Sequence, residues 1–400
     1  MEHVFFTATF WLGLAVIAAI IAYHLKVSIA LMEICIGAVV AALANQLGFT
    51  GIPGVNEEWL KFLASAGACF LTFLAGAELE PQVMREKIKE ANVIGLIGFF
   101  SPFIGCSIVA RYVLGWDLRA SLLAGVALST TSIAVVYSVM LETGLNRTEF
   151  GKGILAACFI NDLGTVIALG LIFAPFTHKT VIFLVLTVLM LIFLPHISNQ
   201  IRTVYAGKTA AIRTKWIAMV LFGLGAFAFW AGSEAVLPAY LVGMVLAEFS
   251  ISDNFWLKRI RTLTTGFLTP FYFLRAGTLV NLSSLLVSPL IFFVLLSGKV
   301  ISKIFGLYPF IAIFRQEKNE RWFYTLMMST GLTFGTISAL YGLTNGIVTQ
   351  TQYSFLVTAV IGSAVVPTLI ANIMFFPRHL LAETAPREPL EIAEETLADE

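Results

Sequence analysis

The chain of 400 residues is 58% hydrophobic and only 12% charged, with a formal net charge of +1. Soluble domains carry about 25% charged residues, so the composition excludes a soluble globular domain, and the balanced charge gives no case for nucleic acid as a partner. This is the make-up of an integral membrane protein, with the lipid bilayer as its solvent.

Runs of about 20 predominantly apolar residues, the length that crosses ~30 Å of hydrocarbon as a helix, recur along the whole chain. Thirteen spans are predicted, at about 4–25, 27–48, 59–78, 91–116, 119–142, 149–174, 180–201, 214–232, 235–249, 262–281, 285–313, 322–344 and 349–376, the ninth being short. No Lys or Arg precedes the first run, unlike the basic leader of a secretory signal, so that span is expected to be retained. Cys35, Cys69, Cys106 and Cys158 all fall inside apolar runs without metal-like spacing and read as small buried hydrophobes. The histidines lie near segment ends or in the tail, which argues against a histidine relay deep in the bilayer.

Basic residues alternate by loop. Odd-numbered loops hold Lys26; Arg85, Lys87 and Lys89; Arg147 and Lys152; Arg202, Lys208, Arg213 and Lys215; Lys258, Arg259 and Arg261; and Arg315, Lys318 and Arg321. Even-numbered loops hold Lys61, Arg111, Arg119 and Lys179. The positive-inside rule then puts the N-terminus outside and the C-terminus in the cytoplasm. Segments one to six begin outside and segments eight to thirteen begin inside. Residues 1–378 therefore read as one transmembrane unit built from inverted repeats, about 1–174 and 214–376, joined by a linker helix at 180–201. The tail, 379–400, holds seven acidic residues and is expected to be disordered.

Inverted repeats place a substrate site near the midplane, where interrupted helices of the two halves meet. Segment five contains Ser129-Thr130-Thr131-Ser132, and its counterpart, segment twelve, contains STGLTFGTIS from Ser329 to Ser338, with Gly331 and Gly335. Hydroxyls can simply bond within a helix. Their equivalent places in the two halves favour an ion path bordered by Thr130, Thr131, Ser132 and Thr333.

Segment six carries FINDLG, residues 159–164. Of the four aspartates only Asp162 sits mid-segment. An ionised carboxylate at the bilayer centre costs at least ~2.5 kcal/mol on insertion scales, so it persists with a function or a partner. Desolvation favours the neutral acid and a nearby cation favours the carboxylate, which lets Asp162 hold either a proton or a small cation. Thr165 shares its helix face and Asn161 adjoins it; oxygen ligands of this kind suit a hard cation. The alternative is a structural ion pair or a hydrogen bond across helices. Lys299, near the middle of segment eleven, is the expected partner or competitor of Asp162, whereas Lys303, one turn nearer the cytoplasm, is expected to snorkel. Arg275, between Pro270 and Gly277, reads equally as an anchor or as a permanent positive charge beside the site.

These residues resemble the monovalent cation:proton antiporters, in particular the thirteen-helix bacterial sodium/proton and potassium/proton exchangers. The likeness runs from about residue 1 to 376 through MEICIGAVVAAL (32–43), FLAGAELEP (73–81), LSTTS (128–132), FINDLG, TPFYFLRAG (269–277) and Lys299. It implies an all-α fold with a dimerisation domain, hence a homodimer, and a core domain that moves like an elevator. It also implies two crossed broken helices, segments five and twelve, beside an ion-binding aspartate, Asp162, with Lys299 as the core lysine. Members that move net charge often carry two adjacent carboxylates, and Asn161 stands at the first of those positions. The Asn-Asp pair is similar to the electroneutral branch, which often has Arg where Lys299 stands. Segment twelve lacks the charged Pro-Arg-Gly-Glu-like stretch of several potassium-type members, and the short tail speaks against the ligand-gated potassium-efflux type.

The expected function is exchange of H⁺ for Na⁺ or Li⁺, one for one, in a bacterial or archaeal inner membrane, with no resident cofactor. K⁺/H⁺ exchange and sodium-coupled solute symport on the same fold are the alternatives. An enzyme is not expected, because an intramembrane aspartyl protease needs two embedded aspartates sharing a proton. A channel would need a filter-like run of carbonyls.

Overall fold

The computed structural model describes residues 1–25, 28–47, 52–77, 86–143, 145, 148–173, 178–205, 211–231, 235–252, 254–281 and 287–380. Most of the acidic tail, the end of FLAGAELEP, and the loop residues Lys26, Arg85, Arg147 and Lys208 lie outside this set. In chain order the helices are α1 (Glu2–Leu25), α2 (Ile29–Gln46), α3 (Glu58–Ala77), α4 (Ile88–Ile108), α5 (Leu118–Ser129), α6 (Ile133–Thr143), α7 (Glu149–Phe173) and α8 (His178–Val204). They continue with α9 (Ile212–Trp230), α10 (Val236–Ser252), α11 (Asn254–Leu263), α12 (Thr269–Thr278), α13 (Pro289–Phe314), α14 (Lys318–Met328), α15 (Thr333–Thr344) and α16 (Gln350–Met374). The protein is an all-α polytopic membrane protein, and every predicted segment has its helix.

Among the described residues, ten segments are long and apolar enough to cross a membrane on their own terms. The other three are five, nine and ten; segment twelve is interrupted as well but is among the ten. Segment five is α5 plus α6, segment ten is α11 and α12 joined by a π turn at Thr264–Leu268, and segment twelve is α14 plus α15. Segment ten starts earlier than its apolar pattern predicts because NFWLKRIRTL already forms α11, a basic amphipathic turn of helix suited to the membrane interface. Segment twelve likewise starts at Lys318 and not at 322.

Both breaks have a local cause. At the end of α5, Ser129 and Thr130 turn their hydroxyls back onto the carbonyls of Val126 (2.8 Å) and Ala127 (3.0 Å), and Thr130 goes extended at φ −61°, ψ 152°. At the end of α14, Thr330 does the same to Met327 O (2.8 Å). Such side-chain bonds compete with the helical ladder and stop it.

The helices pack in two groups. Segments one to three and eight to ten form one, with segment seven on its flank, and segments four to six and eleven to thirteen form the other. Each repeat thus gives three helices to each group. The first group closes on small residues: a Cβ on Gly37 of α2 would fall 2.2 Å from Leu274 O of α12, and one on Gly76 of α3 would fall 2.3 Å from Tyr240 O of α10. Segment two against ten and segment nine against three are the same contact exchanged by the inverted repeat, and in lipid such backbone approach supplies the packing that a hydrophobic drive supplies in water.

The second group is stapled at its basic end. Arg315, at the end of α13, bonds both oxygens of Glu90 on α4 (2.8 and 3.0 Å) and lies 5.3 Å from the Phe150 ring centroid. Removing one partner strands a charge in a site where the Glu90 side chain is 9% exposed. Glu90→Gln is therefore expected to destabilise the protein by ~3 kcal/mol, read as a lower melting temperature in detergent. Melting unchanged from wild type would show that the pair is only a surface contact.

Candidate functional site

Asp162 sits midway along α7 and its side chain is enclosed at 1% exposure. Its carboxylate meets the crossing of the two broken segments: the Thr131 backbone N–H faces it, while Oδ1 has no hydrogen-bond partner among the described residues. Thr131 Oγ1 donates to Met328 O across the crossing (2.8 Å), and Ser132 N–H reaches Thr330 Oγ1 (3.5 Å). The two interruptions therefore hold each other.

Segment eleven places two lysines here. Lys303 is fully buried and its ammonium donates to Thr131 Oγ1 at 3.1 Å. The snorkelling expected of it does not occur, because segments five and twelve close over its path to water. Lys299, also fully buried, donates to Ser363 Oγ of α16 (3.0 Å), whose hydroxyl lies 3.5 Å from Gly331 O and bonds Val360 O (2.7 Å). Each lysine is tied to one break, Lys303 to that of segment five and Lys299 to that of segment twelve.

The other sequence candidates divide. Thr130, Thr131 and Ser132 are buried at the crossing. Asn161 is fully buried beside Asp162, but it leans on α4: a Cβ on Gly98 would lie 3.2 Å from its Nδ2, and neither amide atom has a partner among the described residues. Thr165 Oγ1 turns back onto Asn161 O (3.2 Å), which directs its proton away from an ion. Thr333 is the half-buried first residue of α15, and Thr330 holds the place at the crossing. Superposing Ser129-Thr130 on Ser329-Thr330 would have found it, since Thr333 then matches Ile133. Arg275 donates from Nε to Val55 O (3.2 Å), a contact that ties α12 to the segment before α3. Sequence reasoning also missed Ser363 and Met328, neither of which carries a local signal.

The seam between the two groups passes Phe159, three residues before Asp162 on α7. Tyr240 of α10 donates to Phe159 O of α7 (3.1 Å) and meets Phe334 of α15 edge to face. At the other end of the seam Tyr353 donates to Ala276 O and Asn281 N–H to Ser354 Oγ, each 2.7 Å. Among the described residues no group of three His, Cys, Asp or Glu forms. What converges is one carboxylate, two lysines, hydroxyls and freed backbone groups, and the oxygens among them are of the kind that suit a hard cation.

A family profile described as "Sodium/hydrogen exchanger, transmembrane" matches residues 12–376. The chain is 27% identical to Probable Na(+)/H(+) antiporter 3 of Methanocaldococcus jannaschii over 56% of its length, and spans 60% of that relative. It is 24% identical to Na(+)/H(+) antiporter NhaS4 of Synechocystis over 84% of this chain and 87% of that one. Against cation/H(+) antiporter 17 of Arabidopsis thaliana identity is 26%, over 61% of this chain and 32% of the plant protein. The fold is similar to the solved sodium proton antiporter MjNhaP1 from M. jannaschii at pH 8, with a TM-score of 0.64, 14% identity, and coverage of 93% and 96% of the two chains. With its profile match running almost end to end, this chain belongs to the transmembrane sodium/hydrogen exchanger family.

Proposed function

We propose that the protein exchanges H⁺ for Na⁺ or Li⁺ across the membrane as a secondary antiporter. The observation that carries this reading is the buried Asp162 carboxylate, with one oxygen unpartnered among the described residues, at the crossing of two interrupted helices beside two buried lysines. Such a carboxylate holds a proton or a cation by turns. Lys303 competes with the cation through Thr131, the hydroxyl that either must share. The group of segments four to six and eleven to thirteen carries the site past the other group, elevator fashion, and a homodimer forms through the latter. The N-terminus lies outside and the C-terminus in the cytoplasm, by the loop charges.

One titratable carboxylate gives the simplest cycle: one cation one way, one proton the other, and no net charge moved. An electrogenic cycle would be biased by ~2.3 kcal/mol per charge per 100 mV. The test is cation-driven proton movement in proteoliposomes at zero and at an imposed potential, with Na⁺, Li⁺ and K⁺ in parallel. Na⁺ and Li⁺ should drive it and voltage should leave the rate unchanged. A larger response to K⁺ would assign potassium exchange, and a rate that follows polarity would assign a second proton, from a lysine, to the cycle.

A further inference from the structure

The last carbonyls of a helix have no partner within it, and at the end of α12 they are answered in two ways. Thr278 Oγ1 turns back onto Arg275 O (2.8 Å) and the Val280 N–H closes on Gly277 O (2.9 Å), both within the chain that leaves the helix. Ala276 O takes its donor from the other helix group: the Tyr353 hydroxyl of α16 reaches it across the seam at 2.7 Å, and both residues are fully buried. One residue on, Ser354 Oγ donates to Gln350 O of its own helix (2.8 Å) and so accepts the Asn281 N–H (2.7 Å). Two bonds of opposite sense thus stitch the end of α12 to the start of α16. That start is itself fixed by a capping box of Thr349 and Gln352, which presents Tyr353 and Ser354 on a rigid turn.

The tenth and twelfth loops, which follow α12 and precede α16, hold no Lys or Arg. By the loop charges this is the outer end of the seam. A slide of one group past the other by a helical turn, ~5.4 Å, takes bonds of this length out of range. Resting on the exchange reading above, we propose that Tyr353 is the outer gate residue: its bond to Ala276 O, with that of Ser354 to Asn281, closes the outer path and belongs to the cytoplasm-facing state alone. While the seam is shut, the hydroxyl answers a carbonyl that would otherwise be buried without a donor, a loss that costs more than the bond itself contributes. Once the seam opens, water supplies that donor, so the bond weighs on the shut state only.

The test measures the half-saturating concentration of the driving cation, Na⁺ or K⁺ as the voltage assay selects, from each face in right-side-out and inside-out vesicles. Wild type, Tyr353→Phe and Ser354→Ala are compared. Each face binds only the fraction of molecules open to it, so the ratio of outer to inner half-saturation reads the balance of the two states. A merely structural defect lowers the rate and leaves that ratio alone. Tyr353→Phe should lower the ratio about threefold to tenfold, and Ser354→Ala should move it the same way. A ratio unchanged in Tyr353→Phe, or raised in either variant, overturns the gate while exchange itself stands. If Tyr353→Phe does not fold, Ser354→Ala decides by the same criterion. Wild type without cation-driven proton movement would remove the exchange reading and the gate with it.

Discussion

Asp162→Asn is expected to reduce exchange to the leak rate while the protein remains folded. The amide has the same shape, and the position tolerates it, since Oδ1 has no partner among the described residues to lose and the Thr131 N–H can still find an oxygen. What the amide lacks is ionisation, so it neither carries a proton nor holds a cation against desolvation. The measurement is sodium-driven pH change in proteoliposomes, alongside size-exclusion behaviour in detergent. Exchange at the wild-type rate would remove Asp162 from the mechanism. Loss of the folded, monodisperse protein would instead make it a structural residue, its charge serving Lys303 and Lys299.

The parts of this structure that a bilayer dictates were legible in the sequence. Helix length is set by hydrocarbon thickness and backbone bonding must be satisfied within each span, so the thirteen segments stand out, as do the hydroxyl- and glycine-rich runs where two of them break. Asp162 was legible for the same reason, a charge in the wrong solvent. The burial of Lys303 was not, because snorkelling depends on whether a route to water exists, and that route is closed by Thr131 and α14, distant in sequence. Ser363 joins the site only through tertiary packing, and the Glu90–Arg315 pair spans most of the chain. The division into two helix groups was hidden too: helices facing lipid and helices facing protein are equally apolar, so periodicity has little to report.

Gly331→Ala is expected to lower exchange by a factor of about 10 to 100 without unfolding the protein. A Cβ there would lie 2.1 Å from Lys299 Nζ, 3.0 Å from Thr130 Oγ1 and 3.2 Å from Ser363 Oγ. The nearest atom is the flexible end of a side chain, so the backbone can stay; Lys299 cannot, and it is fully enclosed with Ser363 as its hydroxyl partner. Overpacking of this kind costs about 1–3 kcal/mol, which as a barrier is that factor in rate. A double-mutant cycle separates this from a general defect. If the methyl acts by displacing the ammonium, Lys299→Ala should already contain the damage, and Gly331→Ala/Lys299→Ala should transport no worse than Lys299→Ala alone. Gly335→Ala serves as the contrast: its Cβ would meet the Ala127 backbone carbonyl at 2.9 Å, a rigid neighbour, so its loss should appear first in stability. Additive effects of Gly331→Ala and Lys299→Ala would mean that the glycine serves the bend of segment twelve and not the placing of the lysine.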